Sequence, residues 1–208
     1  MEGLTRIDAV AVPIAGANID TGTIFPSRFL RRPRGKGYQD VLFRDRRFDL
    51  SGQPRSDFPL DQPAYRGARI IVADANFGCG SSRESAVFAL IDAGFLCIIA
   101  PSYGEIFIAN CFRNGLLAVS LPQASVEVLR DQLERNPGGH VCVDLAGEEV
   151  RSNEGNRFTF AITNAQKKRL MLGQDDCALA LQASEEIRQF EYDYLVRHPW
   201  VLPKSSAE

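Results

Sequence analysis

Between residues 68 and 121 short apolar runs alternate with segments whose apolar residues recur every three to four positions. Residues 68–73 (ARIIVA), 95–100 (FLCIIA) and 116–121 (LLAVSL) are nearly continuous apolar runs, the pattern of strands covered on both faces. Between the first two, residues 83–93 place Ala86, Val87, Leu90 and Ile91 on one helical face, and Gly94 closes the helix. A second helix over about residues 103–113 is entered at Pro101-Ser102, with Glu105 in capping-box position, and stopped by Asn114-Gly115. This order predicts a parallel βαβαβ unit with right-handed crossovers. Both helices then start at the carboxyl edge of the sheet, where open parallel sheets take their ligands.

The flanks read differently. The N-terminal third offers two short apolar pieces, residues 10–14 and 24–26, around Asn18-Ile19-Asp20-Thr21-Gly22. Past Pro122 the pattern predicts a helix over 125–135 and strands over 141–145, 148–151 and 157–162, separated by the turn signals Ala146-Gly147 and Glu154-Gly155-Asn156. Helices over 166–172 and 185–197 follow, and the tail from about 203 to 208 has nothing to pack and is expected to be disordered. No internal repeat or strong linker interrupts the chain, so the expectation is a single domain over residues 1–208.

Composition narrows the function classes. Twenty-four basic against 26 acidic residues leave a net charge of −2, which gives no field favouring nucleic acid or an anionic membrane. Small molecules or proteins are the expected partners. The start Met1-Glu2-Gly3 lacks the regions of a secretory signal, and no apolar run approaches the roughly 20 residues of a membrane span; the expectation is a cytoplasmic protein. Cys79, Cys97, Cys111, Cys142 and Cys177 form neither a C-x-x-C pair nor a secreted framework. With only His140 and His198 beside them, they offer no metal-ligand set. A metal required by the chemistry would have to sit on another chain.

The candidate chemistry lies at residues 76–84 (NFGCGSSRE), where the first strand of the unit hands over to its helix. Two readings compete there. Ser81 with Glu84 is a capping box, which needs no ligand. Alternatively, Gly78 and Gly80 let backbone amides approach an anion at the helix N-terminus, and Arg83 forks onto a carboxylate. The G-C-G run, second serine and arginine exceed what a cap requires. Upstream, Arg28, Arg31, Arg32, Arg34 and Lys36 fall within nine residues without an acid between them. They read either as a solvated loop or as a mobile lid or partner contact.

Five blocks in order carry a family resemblance: residues 18–30 (NIDTGTIFPSRFL), 76–84, 99–117 (IAPSYGEIFIANCFRNGLL), 173–182 (GQDDCALALQ) and the closing Arg197-His198-Pro199-Trp200. From about Asp8 to Trp200 the chain resembles the small subunits of isopropylmalate isomerase (3-isopropylmalate dehydratase), relatives of the swivelling domain of aconitase. The resemblance implies an α/β fold, a three-layer β/β/α swivelling domain around the central parallel βαβαβ unit. It also implies a hydro-lyase that interconverts 2- and 3-isopropylmalate in leucine biosynthesis. Activity would require a large subunit that carries a 4Fe-4S cluster, with no metal on this chain and a small hydroxy-dicarboxylate as substrate. Carried onto this sequence, Ser81 would be the catalytic base and Arg83 the carboxylate clamp. Ser82, Gly80 and Gly78 would complete the substrate loop, and Phe29, Leu30, Arg31 and Arg32 would lie in the loop that sets specificity.

Two departures from the family pattern bear on the chemistry. Gly22 stands where the family usually has Asp, and Ser85 where it usually has His. Val87 and Phe88 replace a usual Pro-Trp. The departures keep two alternatives in view: a paralogous dehydratase subunit for a methylmalate- or dimethylmalate-type diacid, and a non-catalytic regulatory module.

Overall fold

The computed structural model describes residues 3–35, 37–55, 57–81 and 83–202. Lys36, Ser82 and the tail from 203 to 208, on which sequence expectations fell, lie outside the described residues. The chain divides into two compact units, Met1–Gly173 and Gln174–Glu208.

The first unit is built on a mixed seven-stranded sheet with the order β4-β3-β2-β1-β5-β6-β7. Strands β1 (Arg6–Ile14), β2 (Ile70–Ala73), β3 (Cys97–Ala100) and β4 (Leu117–Ser120) run parallel, with Val12 opposite Ile71, Ile71 opposite Ile98 and Ile99 opposite Val119. Strands β5 (His140–Asp144), β6 (Glu149–Ser152) and β7 (Arg157–Thr159) continue it as an antiparallel meander. The βαβαβ unit has the predicted elements: α3 (Glu84–Asp92) joins β2 to β3, and α4 (Glu105–Asn114) joins β3 to β4. Each of β2, β3 and β4 is shorter than the predicted strand, with residues 68, 69, 95, 96 and 116 leading in before the ladder begins and 121 following it.

The N-terminal apolar piece turns out to be the hub of the sheet. Arg6 to Val10 pair antiparallel with β5, and Ala11 to Ile14 pair parallel with β2. Burial follows this change of partner. The first half alternates exposed and buried residues, while the second half is buried throughout, as expected where packed helices cover a parallel sheet. Helix α5 (Gln123–Arg135) packs on β1, β2 and β3 through buried Val126, Leu129 and Leu133. Helix α6 (Asn164–Leu172) begins before the predicted residue 166 because Thr163 and Gln166 form a capping box. Ile14, Phe25, Phe43, Phe77, Ile71, Leu90 and Ile98 are among the largest wholly buried side chains, at roughly 1.5–3 kcal/mol each for full burial.

The second unit consists of α7 (Asp176–Gln182), α8 (Ser184–Arg197) and a 3-10 turn at Pro199–Val201. The 185–197 expectation matches α8. Helix α7 is an addition, entered through Asp175, whose side chain accepts the Ala178 N–H at 2.8 Å. Among the described residues, no helix is long and apolar enough to cross a membrane.

Candidate functional site

Two loops meet at the carboxyl ends of β1 and β2 and are stitched together residue by residue. Asn18 donates its N–H to the Ala75 carbonyl at 2.9 Å, and Asn76 Nδ2 donates to Asn18 Oδ1 at 2.8 Å. Both asparagines sit at positive φ, 58° and 60°, a region Asn tolerates better than most residues. The pairing continues as Gly78 N–H to Ile19 O at 2.7 Å and Thr21 N–H to Cys79 O at 3.0 Å. Thr21 Oγ1 then donates to the Ser81 carbonyl at 2.6 Å. Asp74 at the end of β2 accepts the Gly16 N–H at 2.7 Å and pairs with Arg130 of α5.

This stitching decides how the helices begin. The Ser81–Glu84 capping box does not form. The residue preceding α3 is Arg83, in extended conformation and without a side-chain cap. Ser81 lies two residues further out, its carbonyl held by Thr21, and Glu84 Oε1 instead accepts from Asn114 Nδ2 at 2.8 Å. The Ser102–Glu105 box is likewise absent. Gly104 precedes α4, and the Ser102 hydroxyl accepts the Asn76 N–H at 2.9 Å. Gly78 and Gly104 serve close packing here: a Cβ on Gly78 would sit 2.2 Å from the Phe107 ring, and one on Gly104 would sit 2.5 Å from the Gly78 carbonyl oxygen.

The result is a cavity of about 550 Å³ walled by Asp20, Thr21, Gly22, Thr23, Pro26, Ser27, Arg28, Asp45, Arg46, Gly80, Ser81 and Arg83. Ser81 is exposed and Arg83 half-buried. Among the described residues Arg83 has no hydrogen bond or ion pair, so its guanidinium is available to an anion. Arg28 is already engaged, donating from Nη1 to Asp45 Oδ2 at 2.9 Å and from Nη2 to the other oxygen. That hydrogen bond holds the Asp45 carboxyl below the usual carboxylate range. Arg46 donates Nη1 to the Ala15 carbonyl at 3.1 Å. Three arginines against two aspartates leave the lining cationic. Gly22 is part of it: a Cβ there would lie 3.1 Å from Asp20 Oδ1 and 3.3 Å from Arg83 Nη1. Arg83 therefore stands over the space a side chain at position 22 would occupy.

Of the sequence candidates, Ser81, Arg83 and Gly80 line this cavity and Gly78 does not; Ser82 is outside the described residues. Phe29, Leu30, Arg31 and Arg32 are also off its wall, although their neighbours Ser27 and Arg28 are on it. Phe29 packs against the core beneath the Arg28 guanidinium, 4.6 Å from its ring centroid. Leu30 and Arg31 are exposed, and Arg32 approaches Asp40 at 3.5 Å. The basic run meets acids from elsewhere in the chain: Asp45 for Arg28, Asp40 for Arg32, and Asp92 at 3.0 Å for Arg34, which also covers the Phe88 ring. Ser85, on the first turn of α3, is half-buried and not on the wall. Sequence reasoning missed Thr21, Asp45 and Arg46. Only the position of Thr21 beside Asp20-Gly22 carried a signal; the other two reach the cavity by tertiary folding of α2 (Arg44–Arg47).

A larger cleft of about 630 Å³, whose walls include the Arg47–Asp61 pair, Tyr65 and Phe95, brings none of the motif residues together. Among the described residues, no group of three or more His, Cys, Asp or Glu side chains is placed to hold a metal ion.

Comparison with known proteins gives a consistent family. The Aconitase C-terminal domain matches residues 1–124. The 3-isopropylmalate dehydratase small subunit of Paramagnetospirillum magneticum is 41% identical over 201 residues, covering 97% of this chain and all of that protein. The corresponding small subunit of Dechloromonas aromatica is 40% identical over 211 residues with the same coverage. In fold, the chain is similar to the crystal structure of 3-isopropylmalate dehydratase (leuD) from Methanocaldococcus jannaschii, with a TM-score of 0.63 at 24% identity over 89% of this chain and 99% of that one. With two loops laced around a cationic cavity on this sheet, and relatives matched along nearly the whole chain, the protein belongs to the 3-isopropylmalate dehydratase small-subunit family.

Proposed function

We propose that this chain is the small subunit of a heteromeric hydro-lyase that interconverts 2-isopropylmalate and 3-isopropylmalate by dehydration and rehydration in leucine biosynthesis. The observation that carries the reading is that Ser81 and Arg83, whose guanidinium has no partner among the described residues, line one cationic cavity. A hydroxy-dicarboxylate brings two negative charges. Arg83 takes one carboxylate through its planar fork, and the surrounding cationic lining favours the dianion over neutral solutes.

Removing a proton from a carbon next to a carboxylate needs a base held within hydrogen-bonding reach. Ser81, as its alkoxide, takes that proton and becomes the hydroxyl. As it does so, the C–O bond at the neighbouring carbon breaks and the double bond forms. In the return step hydroxide adds to the carbon that lost the proton and Ser81 delivers a proton to the carbon that lost the hydroxyl, so the hydroxyl has moved by one position with no net gain or loss of water. The cationic wall lowers the cost of placing negative charge on Ser81. Gly80 gives the loop its turn. Held by the large subunit, a 4Fe-4S cluster would supply the Lewis acid for the departing hydroxyl oxygen. The small subunit is active only when a large subunit closes on this face, in the cytoplasm, without nucleic acid or membrane.

The test is turnover by this chain co-purified anaerobically with its large subunit, with isopropylmalate and shorter 2-hydroxy diacids offered in parallel. Preferred turnover of isopropylmalate is expected. Preference for a methylmalate- or dimethylmalate-type diacid would replace the reading with that of a paralogous dehydratase.

A further inference from the structure

We infer that Thr21 is a positioning residue for Ser81, acting through its hydroxyl across the flexible point at Gly80. The inference rests on Ser81 being the reacting group.

Gly80 has φ +85°, and glycine alone crosses this region without steric cost, in either direction. Left to itself it is a pivot between Cys79 and Ser81. Thr21 holds the backbone on both sides of that pivot: its N–H donates to the Cys79 carbonyl at 3.0 Å, and its Oγ1 donates to the Ser81 carbonyl at 2.6 Å. With both carbonyls held, the Ser81 backbone and the direction of its Cα–Cβ bond are set, and only the staggered χ1 positions are left to the hydroxyl. Among the described residues, no other side chain hydrogen-bonds Ser81.

Thr21 is suited to this because it cannot itself move. It is 2% exposed and opens α1 (Thr21–Ile24), whose preceding residue Asp20 accepts the Thr23 N–H at 2.6 Å. A β-branched side chain is stiff at χ1. Burial also strips Oγ1 of competing water, so the hydroxyl is committed to the Ser81 carbonyl.

The experiment compares Thr21→Val, Thr21→Ser and Ser81→Ala with the parent chain, each co-purified with the large subunit and normalised to assembled complex. Thr21→Val keeps the shape and removes the donor; Thr21→Ser keeps the donor. The expected result is a fall in kcat of roughly 10–100-fold for Thr21→Val, with KM within about 3-fold, since misplacement near 1 Å costs about that much. Thr21→Ser is expected to recover kcat to within about 3-fold. A packing role alone would not separate these two variants. If Thr21→Val does not assemble, Thr21→Ala carries the same comparison. Faster hydrogen exchange over residues 76–83 in the hydroxyl-less variant is the accompanying readout. The inference is overturned if Thr21→Val keeps parental kcat while Ser81→Ala is inactive, or if Thr21→Ser loses as much as Thr21→Val. Full activity in Ser81→Ala would instead overturn the site reading, and the inference with it.

Discussion

Replacing Arg83 by Gln should uncouple activity from stability. The guanidinium has no hydrogen bond or ion pair among the described residues and stands half-buried on the cavity wall, so its loss removes nothing that holds the fold. Surface changes of this kind stay within about 0.5 kcal/mol, which for a chain of this size moves Tm by about 2 °C or less. The substrate side is another matter. A hydrogen bond to a charged group contributes about 1.5–3 kcal/mol, and each 1.36 kcal/mol is tenfold in rate. Arg83→Gln should therefore lower kcat/KM by roughly 10–150-fold. Arg83→Lys keeps the charge but not the planar fork and should fall between Gln and parent. The assay is steady-state kinetics of the co-purified pair beside thermal unfolding of each variant. The reasoning is refuted by unchanged kcat/KM in Arg83→Gln, or by a loss of activity that comes with a fall in Tm of several degrees.

Other consequences follow from the same geometry. Gly22→Ala should change stability little, because the gain from lower unfolded-state entropy at a helical position of α1 is offset by a methyl 3.1 Å from the capping Asp20 Oδ1. Its new methyl, 3.3 Å from Arg83 Nη1, should raise KM by roughly 2–5-fold; a higher KM without loss of Tm is the result to look for. Asp74→Asn should cost about 2 kcal/mol, seen as a Tm lower by about 4–8 °C, since Asp74 and Arg130 are 17% and 18% exposed and Asp74 also anchors Gly16. Burial pushes the wholly buried Cys97 and Cys111 thiols well up from their usual range. The folded chain therefore keeps these protons at alkaline pH while the unfolded chain releases them. Stability should be unaffected by them below about pH 8.5 and fall above it by about 1.4 kcal/mol per pH unit per thiol. Cys97→Ala should make that decline shallower in denaturant titrations between pH 9 and 10.5, and an unchanged slope would count against the assignment.

How far the fold could be read from the sequence depended on whether a contact was local. The apolar runs at 68–73, 95–100 and 116–121 declared β2, β3 and β4 because strands covered on both faces need continuous hydrophobicity. Residues 10–14 gave less away: β1 changes partner midway, so its alternating and continuous halves each look like a fragment. The capping boxes misled for a related reason. Ser81 and Ser102 have the right spacing, yet the groups that engage them, the Thr21 hydroxyl and the Asn76 N–H, belong to the 18–21 and 76–78 loops, far off in sequence. That Ser81 and Arg83 line one cavity was legible because strand, glycine turn and helix start lie together in the chain. Arg46 and the Arg28–Asp45 pair were not, since α2 reaches the wall only through folding. The run Arg28 to Arg34 looked uncompensated in sequence, but the acids that meet it are Asp40, Asp45 and Asp92.

The account turns on Ser81 as the group that moves the proton. The most direct measurement is exchange of the substrate's carbon-bound hydrogen with solvent deuterium, followed by NMR, in the assembled pair carrying either the parent chain or Ser81→Ala. Loss of exchange and of net isomerisation together, by about 10²–10⁴-fold for a positioned acid–base group, with substrate binding retained, is the predicted result. Exchange at the parental rate in Ser81→Ala would contradict the account and move the base off this chain's loop.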